Sequence, residues 1–200
     1  MVKNIKENSP KVLGLDVSSK TIGVSLFDID SRQLLELTHV SPVPKLKTEN
    51  KMEELLLKSG IFRAKLDQYI GLNIEKVIIE EPLLGSNNLN TIGTLLRFNT
   101  LICKEVYDSL GVVPNFISTH NSRKFAFPFL VQPNDKGKYV LFGGFPRDID
   151  KKVIIWEQVS KREPQITWLY TRNNTLKKEN YDMSDAYACA LAWMKMNEIW

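Results

Sequence analysis

KVLGLDVSSKTIGVSLFD, residues 11–28, decides the fold class. Val12 to Leu15 and Gly23 to Asp28 are short apolar runs interrupted by Ser18-Ser19-Lys20, the pattern of two strands joined by a tight turn. Gln33 to His39, set off by Asp30-Ser31, adds a third run, and three strands linked by tight turns make an antiparallel meander. Asp16 follows Val12-Leu13-Gly14-Leu15, so a carboxylate enters a strand that otherwise suits the centre of a sheet. A lone buried carboxylate is costly, and the cost is met by pairing or by a metal. The plainer alternative is a strand-end acid that caps the next turn.

From the meander the chain passes through Ser41-Pro42-Val43-Pro44, which breaks the pattern. From about Asn50, Met52, Leu55, Leu56, Phe62, Leu66 and Tyr69 recur at the spacing of a helix with one buried face, and Asn50 with Glu53 resembles a capping box. Val77-Ile78-Ile79 is apolar without alternation, as in a strand buried on both faces, and a strand reached across a helix runs parallel to the first. A second helical stripe, Ile92 to Leu110, stops at Gly111; Asn115 to Ser118 is a short strand. Residues from about 128 to 147 carry Pro, Gly and aromatics around the turn Asn134-Asp135-Lys136-Gly137, an inserted loop or hairpin. A helix from about Ile149 to Ser160, an irregular basic stretch from Thr167 to Tyr181, and a last helix from near Asp182 complete the chain. The order predicts a mixed α/β sheet with helices on its faces, in one domain over residues 1–200 with a flexible leader at 1–10. Ligands of such sheets gather at the carboxyl ends of the parallel strands.

Composition narrows the class. At 200 residues, 43% hydrophobic and 25% charged, the chain is long enough for a real core. A net charge of +4 and a pI near 8.9 lean only slightly toward an anionic partner. No apolar run reaches the ~20 residues of a membrane span, and MVKNIKENSPK lacks the apolar centre of a secretory signal, so no membrane role and a cytoplasmic location are expected. Cys103 and Cys189 fall inside apolar helical patterns, which suits buried reduced thiols and neither a disulfide framework nor a zinc site.

Three more acids join Asp16. Glu80 and Glu81 end the apolar run of KVIIEEPLLG; because side chains alternate across a strand, only one faces a neighbouring site, Glu80 being the first choice and Glu81 the fallback. Asp182 and Asp185, in NYDMSDAYACALAW, are three apart at a helix start and project to one face. Simple N-terminal capping by Asp182 would also explain an acid there. Ala186, Ala188 and Ala190 are more specific, since small residues let a helix lie tight against a sheet. Carboxylates at the mouth of a sheet are what two hard cations about 4 Å apart require to cut a phosphodiester, so a metal-dependent nuclease leads.

LGLDVSSKTIGVSLFD, VIIEEP and DMSDAYACALAW resemble the three acidic motifs of the RuvC-type Holliday junction resolvases, within the ribonuclease H-like superfamily. The resemblance runs from about Val12 to Trp193, with residues 125–161 matching mainly in their predicted helix. It implies a five-stranded mixed sheet of three antiparallel plus parallel strands, a homodimer, two Mg²⁺ ions per site with Mn²⁺ able to substitute, and paired nicks at symmetric positions of a four-way DNA junction. Asp16, Glu80, Asp182 and Asp185 take the metal-ligand positions, with Asp182 either a ligand or a positioner of the water. Lys151 and Lys152 fall close to the scissile phosphate, Lys151 as the catalytic cation; a solvated helix face is the alternative. The helix from Ile92 to Leu110 becomes part of the dimer seam. Two departures stand out. Leu83 and Leu84 occupy positions where the family often has an aromatic that inserts at the junction, leaving Leu83 able to wedge but not to stack. The segment around Tyr139 to Phe145 is also longer than the family pattern.

Phosphate grip falls to Lys20, Arg97, Arg123, Lys124, Lys152, Arg172, Lys177 and Lys178, the run from Arg172 to Lys178 standing closest in sequence to Asp182. The location is then nucleoid-associated, or the host cell if the gene is viral. Three rivals remain: a ribonuclease H-like enzyme acting on RNA or an RNA–DNA hybrid; an ATP-binding protein of the actin and Hsp70 fold, whose first phosphate-binding hairpin residues 14–28 also resemble; and a non-catalytic binder of branched DNA.

Overall fold

A computed structural model describes residues 8–44, 47–82, 88–146 and 148–200. The first seven residues of the expected leader, and Leu83 with Leu84, lie outside these. Strands β1 (Lys11–Val17), β2 (Ile22–Asp28) and β3 (Gln33–Val40) form the antiparallel meander; helix α1 (Lys51–Leu66) leads to β4 (Ile74–Glu80), and α2 (Leu89–Leu110) to β5 (Asn115–Ile117). The sheet order is β3-β2-β1-β4-β5, with β1 parallel to β4 and β4 parallel to β5. This is the mixed five-stranded sheet that the sequence predicts.

Local chemistry sets the helix ends. Asn50 caps α1 by accepting from the Glu53 N–H at 2.9 Å, and the Glu53 carboxylate reaches back to the Glu49 N–H, one residue before the position of an ideal capping box. Gly111 ends α2 in the left-handed region at φ +68°.

Strand alternation then sorts the sheet into two faces. Leu13, Leu15, Val17, Val24, Val77 and Ile79 pack against Leu55, Phe62 and Leu66 of α1 and Phe98, Ile102 and Val106 of α2. Val12, Phe27, Ile78 and Ile117 take the opposite face, covered by α5 (Glu179–Met196), α3 (Thr119–Ala126) and α4 (Lys151–Arg162). Helix α5 is buried without a break from Met183 to Ala192. Its approach is as close as its alanines suggest: a Cβ on Gly14 would stand 2.2 Å from the Ala186 carbonyl oxygen, one on Gly23 2.0 Å from that of Asp182. The Ser25 hydroxyl donates to the Ala186 carbonyl at 2.9 Å and fixes the helix along its axis.

Four details differ from the sequence-based expectation. Helix α3 fills the stretch between the expected strand, which ends at Ser118, and the insertion expected from about residue 128, where the sequence reading assigns no element; its cap is Ser118, which accepts from the Asn121 N–H. Helix α5 begins at Glu179, so Asp182 lies within its first turn and is not its cap. Helix α4 runs Lys151–Arg162, shifted two residues onward, with Asp150 capping the Lys152 N–H. Cys103 is only half-buried, whereas Cys189 is fully enclosed; both are free thiols. The inserted segment carries a short hairpin, β6 (Val131–Pro133) with β7 (Tyr139–Leu141). Among the described residues no helix is long and apolar enough to cross a membrane.

Candidate active site

Period-two alternation brings the acids together. On β1, Val12, Gly14 and Asp16 share the face that meets α5; on β4, Ile78 and Glu80 do. Because Leu15 pairs with Ile79 in parallel register, Asp16 and Glu80 come side by side at the carboxyl edge of the sheet. Glu81, the next residue, is exposed at the rim of the same edge. Helix α5, seated on Gly14 and Gly23, adds Asp185, only 2% exposed. Ligating oxygens of Asp16, Glu80 and Asp185 all lie within 4.8 Å of one another. Asp182, one turn earlier, stands outside that trio but lines the same cleft, a hollow of about 480 Å³.

Two cations answer these four carboxylates. Arg123 of α3, buried, grips Asp185 through Nη2 at 2.9 and 3.2 Å and through Nε at 3.3 Å. Lys152, at the start of α4, sets its Nζ 3.3 Å from Asp185 and 3.6 Å from Asp182. Thr119, the first residue of α3, donates its hydroxyl to Glu80 Oε1. The other oxygen, Oε2, is buried with no hydrogen-bond partner.

Crowding shows in the acidities. Burial first, then Glu80, Asp185 and Asp182, hold Asp16 well above the usual carboxylate range against the pull of Lys152. Glu80 is pushed up to about 7 by burial and the Asp185 charge, with Thr119 and Arg123 opposing. Asp182 is raised mainly by burial, Lys152 countering. Burial works against the Lys152 charge, but Asp185, Asp16 and Asp182 outweigh it and hold the ammonium above its ordinary value. Such a cluster, with excess negative charge and an orphaned carboxylate oxygen, fits a hard divalent cation, which takes oxygen ligands and removes the repulsion among them.

The predicted cations are placed unequally. Lys152 and Arg123 both reach the acids; Arg123, expected at a phosphate, is instead a buried partner of Asp185. Lys151, expected as the catalytic cation, is exposed and lies 5.9 Å from the Phe142 ring, although it lines the cleft rim. Lys20, Arg97, Lys124, Arg172, Lys177 and Lys178 are all exposed. Leu83 lies outside the described residues. Thr119 is a contributor that sequence reasoning passed over. Its only signal was Ser118 before an eight-residue polar stretch in which Ser122, Arg123 and Ala126 share a buried face.

No protein-family model and no curated protein matches the sequence. Solved structures do match the fold. Thermus thermophilus RuvC in complex with a Holliday junction substrate superposes with a TM-score of 0.61 at 12% identity, over 94% of both chains. Another T. thermophilus RuvC structure gives 0.57 at 13% identity, covering 94% of this chain and 95% of that one. The yeast mitochondrial Holliday junction resolvase Ydc2 gives 0.60 at 11% identity, over 99% of this chain and 83% of its own. With its five-stranded mixed sheet and flanking helices, the chain has a ribonuclease H-like fold of the kind seen in these proteins.

Proposed function

We propose that this protein is a metal-dependent endonuclease that resolves four-way DNA junctions by paired symmetric nicks. The observation that carries it is the convergence of Asp16, Glu80 and Asp185, their oxygens within 4.8 Å, at the carboxyl edge of a ribonuclease H-like sheet. Similar folds at this level of identity include two resolvases, one bound to its junction.

Asp16, Glu80 and Asp185 would hold Mg²⁺, or Mn²⁺, with Asp182 completing a second ion or orienting the water. When bound, such ions supply Lewis-acid stabilisation of the charge that develops as a phosphodiester is hydrolysed. The protein's own groups do the positioning. Arg123 fixes the Asp185 carboxylate bidentately, Thr119 orients Glu80, and Lys152 presents an ammonium beside the phosphate position, where fixed positive charge favours the transition state. Packing of α5 on two glycines holds Asp182 and Asp185 to the sheet without a loop between. Lys20 and the Arg172 to Lys178 turn, exposed on the segments that precede β2 and α5, would meet flanking phosphates.

A homodimer through α2 matches a twofold substrate to two sites. Leu89, Leu96 and Tyr107 on α2, with Val113 and Phe116 just beyond it, are 44–82% exposed, an apolar surface that a second copy would cover. The test is cleavage of a synthetic mobile four-way junction in Mg²⁺, beside the matched duplex and an RNA–DNA hybrid, with Asp16→Asn as control. Paired nicks in the junction alone, lost in the variant by roughly 10³-fold or more, are expected. Cleavage of the hybrid with an intact junction would move the assignment to a ribonuclease.

A further inference from the structure

Beside the acidic cleft lies a second hollow of about 450 Å³, between the β6–β7 hairpin and the start of α4. Its size is ordinary for a cleft that takes a small ligand, roughly 300–1,000 Å³. Ile149 and Lys151 line both hollows, so the two are continuous across the segment that enters α4.

The hairpin is anchored at its base. The Phe142 N–H donates to the Leu130 carbonyl at 2.7 Å, both side chains are buried, and a Cβ on Gly143 would stand 2.0 Å from the Gln132 carbonyl oxygen. Its turn is fixed as well: Asn134 Oδ1 accepts from the N–H groups of Lys136 and Lys138, each at 3.0 Å, with Gly137 at φ +72°. What this rigid element offers to solvent is aromatic and basic. Tyr139 is 73% exposed on the outer side of the hairpin, next to Val140 and Leu141, which line the hollow, and Lys136 and Lys138, in and just after the turn, are exposed as well. One acid, Asp135, lines the second hollow and has a partner of its own; Asp150, on the acidic cleft, is engaged as the α4 cap.

Ring faces among ammonium groups are the chemistry that grips a single strand, phosphates meeting the cations and an unstacked base meeting the ring. Continuous duplex presents no such base at its surface, whereas a base pair at a branch point, where the continuous stack is broken, opens at lower cost and can free one. We propose that the β6–β7 hairpin is the branch-recognition element: the DNA strand whose phosphate enters the acidic cleft passes Lys151 into the second hollow, and an unpaired base stacks on Tyr139. The assignment rests on the nuclease function proposed above.

The test scans 2-aminopurine along a junction strand from the branch point, with Ca²⁺ replacing Mg²⁺ to keep the strand uncut, and measures cleavage in parallel. Wild-type protein should change the fluorescence at one or two positions. Tyr139→Ala should abolish that change and raise KM by roughly 5- to 100-fold, with a much smaller effect on kcat, while Tyr139→Phe keeps both. Lys136→Gln with Lys138→Gln should reduce the slope of log Kd against log salt by about 2. Melting curves check that these exposed substitutions leave the fold intact. Wild-type KM and wild-type fluorescence in Tyr139→Ala would overturn the assignment. If wild-type protein cuts no junction, the nuclease function fails on its own; the same scan on a single-stranded oligonucleotide then decides the hairpin, a signal lost in Tyr139→Ala upholding it and any other result overturning it.

Discussion

On the α1/α2 face of the sheet, Leu13, Leu15, Val24, Val77 and Ile79 meet the apolar stripes of two amphipathic helices; on the α5 face, Gly14, Gly23 and Ser25 meet a helix backbone and Asp16, Glu80 and Asp185 meet each other. The first face buries hydrocarbon and is stabilised by it. The second also buries hydrocarbon, around Phe27, Ile78 and Tyr187, but gives up side-chain volume at Gly14 and Gly23 to bring a helix in, and that proximity sets together carboxylates whose mutual repulsion opposes folding. Both sides of the sheet thus bury a core, but only the α5 side, at its carboxyl edge, also gathers the carboxylates, a division made by the twofold alternation of the strands.

Paired substitutions break this contrast most sharply. Phe62→Ala on the α1/α2 face should cost about 3–5 kcal/mol, from lost burial and the cavity it leaves, and millimolar Mg²⁺ should shift its melting point as much as it shifts wild type. Arg123→Gln should cost about 3 kcal/mol by leaving buried Asp185 with Lys152 alone. Here Mg²⁺ should restore most of the loss, because a divalent cation replaces the missing charge. Thermal melts with and without metal check both, and equal metal rescue of the two variants would erase the distinction between the faces.

Stability against pH sharpens it further. A carboxyl whose acidity is weakened by folding binds more protons in the native state, so stability falls as pH rises from its unfolded to its folded value. For Glu80 that window runs from 4.5 to about 7, and the loss is at most about 3 kcal/mol. Asp16 and Asp182, both raised, add in the same direction. Asp28, lowered in spite of its burial by its bonds to Ser9 and Ser31, acts oppositely in the acid range. Urea melts in chelator should therefore show stability falling between about pH 4.5 and pH 7. Glu80→Gln should flatten that fall, and Mg²⁺ should reverse it.

The smallest effect belongs to Thr119. Replacing it by Val removes the hydroxyl that orients Glu80 and should weaken Mn²⁺ binding by roughly 10-fold, read by calorimetry, with the melting point of the metal-free protein nearly unchanged.

The two faces were also unequally legible in the sequence. Leu55, Phe62 and Leu66 repeat at helical spacing, and Val77-Ile78-Ile79 lacks alternation, so the packing of α1, α2 and β4 could be read directly. Asp16 showed itself as a charge in an apolar strand, and Ala186, Ala188 and Ala190 announced the close approach of α5. The pairing of Arg123 with Asp185 and the part of Thr119 did not, because both sit on an eight-residue polar helix whose periodicity is too short to register and whose role depends on contacts 62 and 39 residues away along the chain. Lys151 and Lys152 are adjacent, so no pattern separates them. Only the turn of α4 directs Lys152 to Asp182 and Asp185 and leaves Lys151 at the rim.

Metal binding as proposed implies that the α5 face gives up stability to hold a divalent cation. The most direct measurement is the melting point of wild type and Asp16→Asn in chelator and across a Mg²⁺ or Mn²⁺ titration. Wild type should gain steadily with metal. Asp16→Asn should melt higher than wild type in chelator, by about 2–4 °C for each kcal/mol of repulsion relieved, and should gain little on adding metal. An Asp16→Asn protein that melts lower than wild type without metal, and responds to metal as wild type does, would contradict the account.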